Sequence, residues 1–171
     1  MMARALSFLL LLTLTASASA QPAADPADVG SLDAIITAYY EVVSGPAGQP
    51  RDWSRDSTLH HPDALVTVVG SGAEGETVIR PTDLGTYHAN AGGLAEAGFF
   101  EVEIARRTER HGAVAHVWST YEWRQTEDGP IGGRGVNSIQ LVWDGSRWWI
   151  VSWMFDGRTN APPVPEPYLP H

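Results

Sequence analysis

Apolar and polar residues along this chain follow two different periods. Between Leu32 and Val43 the apolar positions Leu32, Ile35, Ile36, Tyr39, Tyr40 and Val43 recur at three- and four-residue spacing, which predicts one amphipathic helix. Ser31 is placed to cap its start, and Gly45-Pro46 stops it. "RDWSRDSTLHH" predicts a second, shorter helix that presents Trp53, Ser57 and His60 on one side and ends at Pro62. "ALVTVVG" reads as a strand and "ETVIR" as a short one. A third helix is expected to open at Pro81-Thr82, with Leu84, Tyr87, His88 and Ala91 on one face.

From Gly98 to Gly157 the period drops to two, which predicts strands at about 99–110, 113–125, 134–143 and 148–156. His111-Gly112 and Asp144-Gly145-Ser146 suit tight hairpin turns. Pairing across those turns sorts the side chains by face. The first hairpin turns Phe100, Val102, Ile104 and Arg106 inward beside Ala115, Val117, Ser119, Tyr121 and Trp123, leaving Glu101, Glu103, Glu109 and Glu122 outside. The second turns Asn137, Ile139, Leu141, Trp143, Trp148, Ile150, Ser152 and Met154 inward. Its other face then carries Trp149, Val151, Trp153 and Phe155, an apolar strip too large to leave in water. Together with Trp118 this strip is the expected contact of a homodimer. The competing cover is the chain's own proline-rich tail, through Tyr168 and Leu169.

The ends of the chain differ from its middle. A lone charge at Arg4, an apolar run from Ala5 to Leu14, and Ala18-Ser19-Ala20 before Gln21 predict a signal peptide over 1–20. The protein is therefore expected to be exported, either periplasmic or secreted. A disordered leader over 21–28, one domain over 29–158 and an extended tail over 159–171 complete the organisation. The 171 residues carry 20 acidic and 11 basic side chains, a net charge of −9, and cleavage of the signal removes one more positive charge. Nucleic acid and membrane surfaces are thus not expected partners. The chain has no cysteine, and every basic residue other than histidine is arginine. Thiol chemistry, Schiff-base chemistry and a lysine-bearing phosphate loop are excluded.

The inward faces and helix stripes name the candidate site. Tyr39 and His60 are the catalytic candidates, because a histidine is a proton carrier near neutral pH and a phenol can polarise an oxygen. Trp53, Tyr87, His88, Arg106, Tyr121, Trp123, Asn137, Ser152 and Met154 are the ligand-binding candidates. No acid is expected on the inner sheet face, and Arg106 is expected to pair with Asp52 or Asp56. His60, His61 and Asp63 in "HHPD" diverge too much for a metal site, so neither metal nor cofactor is expected.

"AYYEVVSG", "HHPDALV", "GAVAHVWSTYEWR" and "DGSRWWIVSW", in this order, resemble the nuclear transport factor 2-like superfamily, and in particular its exported bacterial SnoaL-like branch. The likeness covers about 29–158. It implies an α+β fold in which about three N-terminal helices pack on the concave face of a cone-shaped, curved antiparallel sheet. It also implies an interior that holds a small apolar molecule, and a homodimer through the convex face. The expected function is binding of a small apolar or aromatic molecule. The alternatives are a cofactor-independent lyase, isomerase or cyclase using His60 as acid and base, and a scaffold that acts through its outer tryptophans alone.

Overall fold

The computed structural model describes residues 23–158 and 160–170. The signal peptide expected over 1–20 lies outside them. Five helices and six strands follow in the order α1 (Pro26–Val29), α2 (Leu32–Val43), α3 (Trp53–Leu59), β1 (His60–Ser71), β2 (Thr77–Asp83), α4 (Leu84–Asn90), α5 (Gly92–Ala97), β3 (Phe100–His111), β4 (Val114–Arg124), β5 (Gly133–Trp143) and β6 (Trp148–Asp156). The strands form one sheet in the order β2-β1-β6-β5-β4-β3. Every neighbouring pair is antiparallel except β1 with β6, which run parallel, so the sheet is mixed rather than wholly antiparallel.

α2 forms where its stripe predicts. Ser31 Oγ accepts the Ala34 N–H at 3.0 Å, and Ile35, Ile36, Tyr39, Tyr40 and Val43 are buried against the sheet. Three elements depart from expectation. The leader, expected to be disordered, contains α1, capped by Asp25. Pro81 and Thr82 end β2 instead of opening a helix, because the Asp83 carboxylate caps α4 one residue later, accepting from Thr86 N–H at 2.8 Å. α5, which the sequence does not predict, follows directly and opens on Gly92-Gly93.

The core lies between α2 and the inner sheet face, where Leu59, Val66, Val117, Ile139, Leu141 and Ile150 are fully enclosed. A small polar group pins α2 there: Tyr40 Oη and Ser119 Oγ are 2.6 Å apart, and Asn137 Nδ2–H donates to Tyr40 Oη at 3.2 Å. Buried polar groups satisfied in this way cost little and fix the seat of the helix.

Two β-bulges decide which side chains reach the interior. In the first hairpin Arg106 sits opposite Ser119 as the turn predicts, but the register then slips between Glu103 and Ala105. The extra residue, Ile104, flips everything before it. Glu103 now faces inward beside Tyr121 and Glu101 beside Trp123, while Val102 turns outward and is 45% exposed. In the second hairpin Trp143 does pair with Trp148, but the register slips between Gln140 and Leu141, with Val151 as the extra residue. Trp153 and Phe155 therefore point inward beside Ile139 and Asn137. Ser152 and Met154, expected inside, lie on the outer face with Gln140 and Ser138.

This corrects the expected dimer contact, because two of its four aromatic residues, Trp153 and Phe155, are interior. The other two are dressed by their own chain. Trp149 carries the Arg147 guanidinium 3.6 Å from its ring centre and donates its indole N–H to Asp144 at 2.6 Å. Trp118 packs against His116 and against Tyr168 of the tail, whose carbonyl accepts the Thr120 hydroxyl at 2.7 Å. The tail thus includes a 3₁₀ turn at Glu166–Tyr168 that seats on the sheet instead of standing away from it. A chain ending at Arg158 should lose about 1–2 kcal/mol in urea unfolding. Its fluorescence should become more quenchable by iodide as Trp118 is uncovered; unchanged stability and quenching would argue against this seat.

Candidate functional site

Between α2, α4, α5 and the inner sheet face lies a cavity of about 1020 Å³. Tyr39 and Val43 of α2, Tyr87 of α4, Leu94 of α5 and Phe99 form its helical side. Glu101, Tyr121, Trp123, Asn137, Trp153 and Phe155 form its sheet side. The aromatic rings brace one another: Tyr39 and Tyr87 meet Trp153 edge to face at 5.6 and 4.9 Å, and Phe99 stacks on Trp123 at 5.9 Å. Glycine makes this packing possible at "GGRG". A Cβ on Gly132 would stand 2.4 Å from the Trp123 ring, and one on Gly135 would stand 2.3 Å from the Tyr121 hydroxyl. Ile131, Arg158 and the tail segment 161–164 line the mouth.

Glu101 is the one acid in the wall's apolar stretch. Its carboxyl has no hydrogen-bond donor among the described residues, and burial pushes its pKa up to about 8. The surrounding phenols respond: burial, then the Glu101 charge, raises Tyr87 and Tyr121, and both act in the same direction on Tyr39. The expectation of an acid-free interior is therefore wrong, and the bulge at Ile104 is the reason.

Glu103 also faces inward but is neutralised. It accepts two bonds from Arg106 Nε, at 2.9 and 3.0 Å, one from Arg106 Nη2 at 2.6 Å, and one from the Ser119 hydroxyl. Arg106 Nη1 reaches Asp33 at 2.6 Å, so its partners are Glu103 and Asp33, not Asp52 or Asp56. Asp52 instead caps α3. Glu122, expected outside, stays outside, where Arg134 and then Arg124 hold its carboxyl below the usual range.

His60 is fully enclosed and is not part of the cavity wall. Its Nδ1–H donates to the Asp56 carbonyl at 2.9 Å and lies 3.6 Å from Asp56 Oδ1. His88 Nε2–H donates to Asp56 Oδ2 at 2.6 Å, and Trp53 stacks on the His88 ring at 4.6 Å. Asp56 thus gathers α3, α4 and the start of β1 behind the wall formed by Tyr39 and Tyr87. Asp56→Ala should cost about 2–3 kcal/mol by removing the acceptor of a buried bond. Unfolding in urea measures it, and a loss below about 0.5 kcal/mol would contradict the role.

The candidates therefore separate into three groups. Tyr39, Tyr87, Tyr121, Trp123 and Asn137 meet at the cavity. His60, Trp53, His88 and Arg106 belong to networks outside its wall, and Ser152 and Met154 to the outer face. Glu101, Phe99, Trp153 and Phe155 line the cavity without having been expected there. The available signal was the double-sided apolar run "WWIVSWMF", since a strand greasy on both parities is what a bulge permits. His61, exposed and 3.7 Å from Asp63, points away from His60. Among the described residues no helix is long and apolar enough to cross a membrane.

No family model matches the sequence, and no curated protein matches it. Solved structures do. An NTF2-like protein of unknown function from Pseudomonas putida KT2440 is 12% identical, with 82% of this chain and 90% of that one superposed at a TM-score of 0.55. An NTF-2 like protein of unknown function from Silicibacter pomeroyi is 18% identical, covering 74% and 92%, at 0.50. A protein of unknown function with a cystatin-like fold from Nostoc punctiforme is 11% identical, covering 75% and 89%, at 0.52. At these identities the likeness establishes the architecture, the nuclear transport factor 2-like α+β cone.

Proposed function

We propose that this nuclear transport factor 2-like domain binds a small, largely apolar or aromatic molecule in the cone, with Glu101 contacting its polar atom. One observation carries the reading: a carboxyl with no side-chain partner among the described residues stands in a largely aromatic wall around an open volume of ligand size. Native mass spectrometry of protein purified from its own host tests it. The expected result is a retained molecule of a few hundred daltons, of the size about 1000 Å³ admits, that is lost on denaturation. An empty protein that also takes up no aromatic probe would count against it.

A second reading has one observation in its favour. Glu101, with a pKa near 8, is a proton carrier on the cavity wall. It would serve a cofactor-independent lyase, isomerase or cyclase in the role the sequence suggests for His60. An activity whose alkaline limb near pH 8 vanishes in Glu101→Gln would support it, whereas an unchanged profile in that variant would remove it.

Export and self-association belong to the same proposal. Arg4, the apolar run after it and Ala18-Ser19-Ala20 support an exported protein; the N-terminal residue of the mature protein, read by sequencing, tests it. Leu65 and Met154, 49% and 42% exposed on neighbouring strands of the outer face, support a homodimer there. A monomer by light scattering, for both the mature chain and one ending at Arg158, would exclude that.

A further inference from the structure

Among the buried and half-buried acids, Glu101 stands apart in its charge partners. Asp28 is held by Arg55, Asp56 by His88, Glu103 by Arg106, Glu122 by Arg134 and Arg124, and Asp156 by Arg158. Glu101 has no such cation. The two arginines that line the cavity, Arg134 and Arg158, are at its mouth and already paired with Glu122 and Asp156.

The cavity wall that Glu101 shares is largely aromatic, with Val43, Leu94 and Asn137 beside the rings. α2 contributes Tyr39, α4 Tyr87, β4 Tyr121 and Trp123, and β6 Trp153. No hydrogen bond involves the hydroxyls of Tyr39, Tyr87 or Tyr121 among the described residues. Ring faces attract positive charge, and phenol oxygens can accept from a cation's N–H groups, although the phenol O–H groups and the unpartnered Trp153 indole N–H can also donate. The chain as a whole is acidic.

We infer that the ligand is a cation: an ammonium, or another organic cation with an apolar or aromatic body, whose charge completes the ion pair that Glu101 lacks inside the aromatic cage. This rests on the proposal that the cone binds a small molecule, and it names the class. A charged acid and a cation share the cost of leaving water and recover it from each other and from the rings. A neutral ligand could exchange hydrogen bonds with the carboxyl but would supply no counter-charge for its ionised form.

Two probes of equal shape separate these cases, phenyltrimethylammonium and tert-butylbenzene, which differ only in nitrogen for carbon and in charge. Binding to the mature protein is followed by tryptophan fluorescence and calorimetry. At pH 9 the cation should bind at least about tenfold more tightly than its neutral twin. In Glu101→Gln its affinity should fall about thirtyfold while that of tert-butylbenzene stays within about twofold. Should that variant not fold, the wild type alone decides. Cation affinity should rise about tenfold from pH 7 to pH 9, as the ionised share of Glu101 grows from about one-tenth to nine-tenths, and the neutral probe should show no such rise.

Binding of tert-butylbenzene as tight as that of the cation would overturn the inference and leave the cavity a binding site. A cation preference that survives Glu101→Gln would overturn it as well. If neither probe binds, the inference and the binding proposal fall together.

Discussion

Glu101→Gln should make the protein more stable at pH 8 and leave it nearly unchanged at pH 4. The carboxyl has its ordinary value of 4.5 in the unfolded chain and about 8 in the fold, so the folded state holds the proton longer. For an acid shifted upward, the full contribution is present below the unfolded value and is lost as pH rises towards the folded one. The wild type should therefore lose roughly 1.4 kcal/mol per pH unit between those limits relative to the variant, on the order of 4 kcal/mol in all. Urea unfolding of both proteins at half-unit steps from pH 4 to 9 provides the difference curve. A flat difference would mean that the carboxyl is solvated, and the cavity would lose its defining group.

Arg51→Ala should be the most damaging single substitution outside the cavity. Arg51 is 7% exposed and pairs with no acid among the described residues. Its guanidinium donates instead to five carbonyls: Val43 at 2.8 Å, Gly45 at 2.7 Å, Pro46 at 3.4 Å, Gln49 at 2.7 Å and Leu94 at 2.6 Å. The first is a carbonyl that the end of α2 leaves without a helical partner, and the last belongs to α5, which helps to close the cavity. Removing the side chain strands the Val43 and Leu94 carbonyls in a place water reaches poorly; Gly45 keeps the Phe99 N–H and Pro46 the Gln49 N–H. The expected loss is about 3–5 kcal/mol. Arg51→Lys should recover only part of it, because an ammonium cannot span five carbonyls set around a planar fork. Denaturant midpoints for the two variants read the effect, and a loss below about 1 kcal/mol for alanine would contradict it.

Much of the architecture could be read from residue spacing. The α2 stripe, the Ser31 cap, the inner face of β4 and the pairing of Trp143 with Trp148 all follow from periodicity and turn residues. The rest turns on two single residues. Ile104 and Val151 are ordinary strand formers, and nothing in their chemistry marks them as extra. Alternation counted outward from a turn is right until a bulge and wrong beyond it. Counting past Ile104 hid Glu101 and Glu103, and counting past Val151 sent Trp153 and Phe155 outside. His60 fell for a different reason. Its spacing does put it inside the protein, but α3 and β1 enclose it behind Tyr39 instead of presenting it to the cavity. Arg51 lay in a proline- and glycine-flanked loop, where no periodicity exists to distinguish a buried arginine from a solvated one.

The claim on which the rest depends is that Glu101 sits half-buried in the aromatic cavity wall, held away from bulk water. Carbon-13 NMR of the side-chain carboxyl carbons, assigned by the Glu101→Gln variant, reads it directly. One glutamate resonance absent from that variant should titrate with a midpoint near pH 8. A midpoint near 4.5, the value of a glutamate in water, would place the carboxyl in solvent and contradict the account.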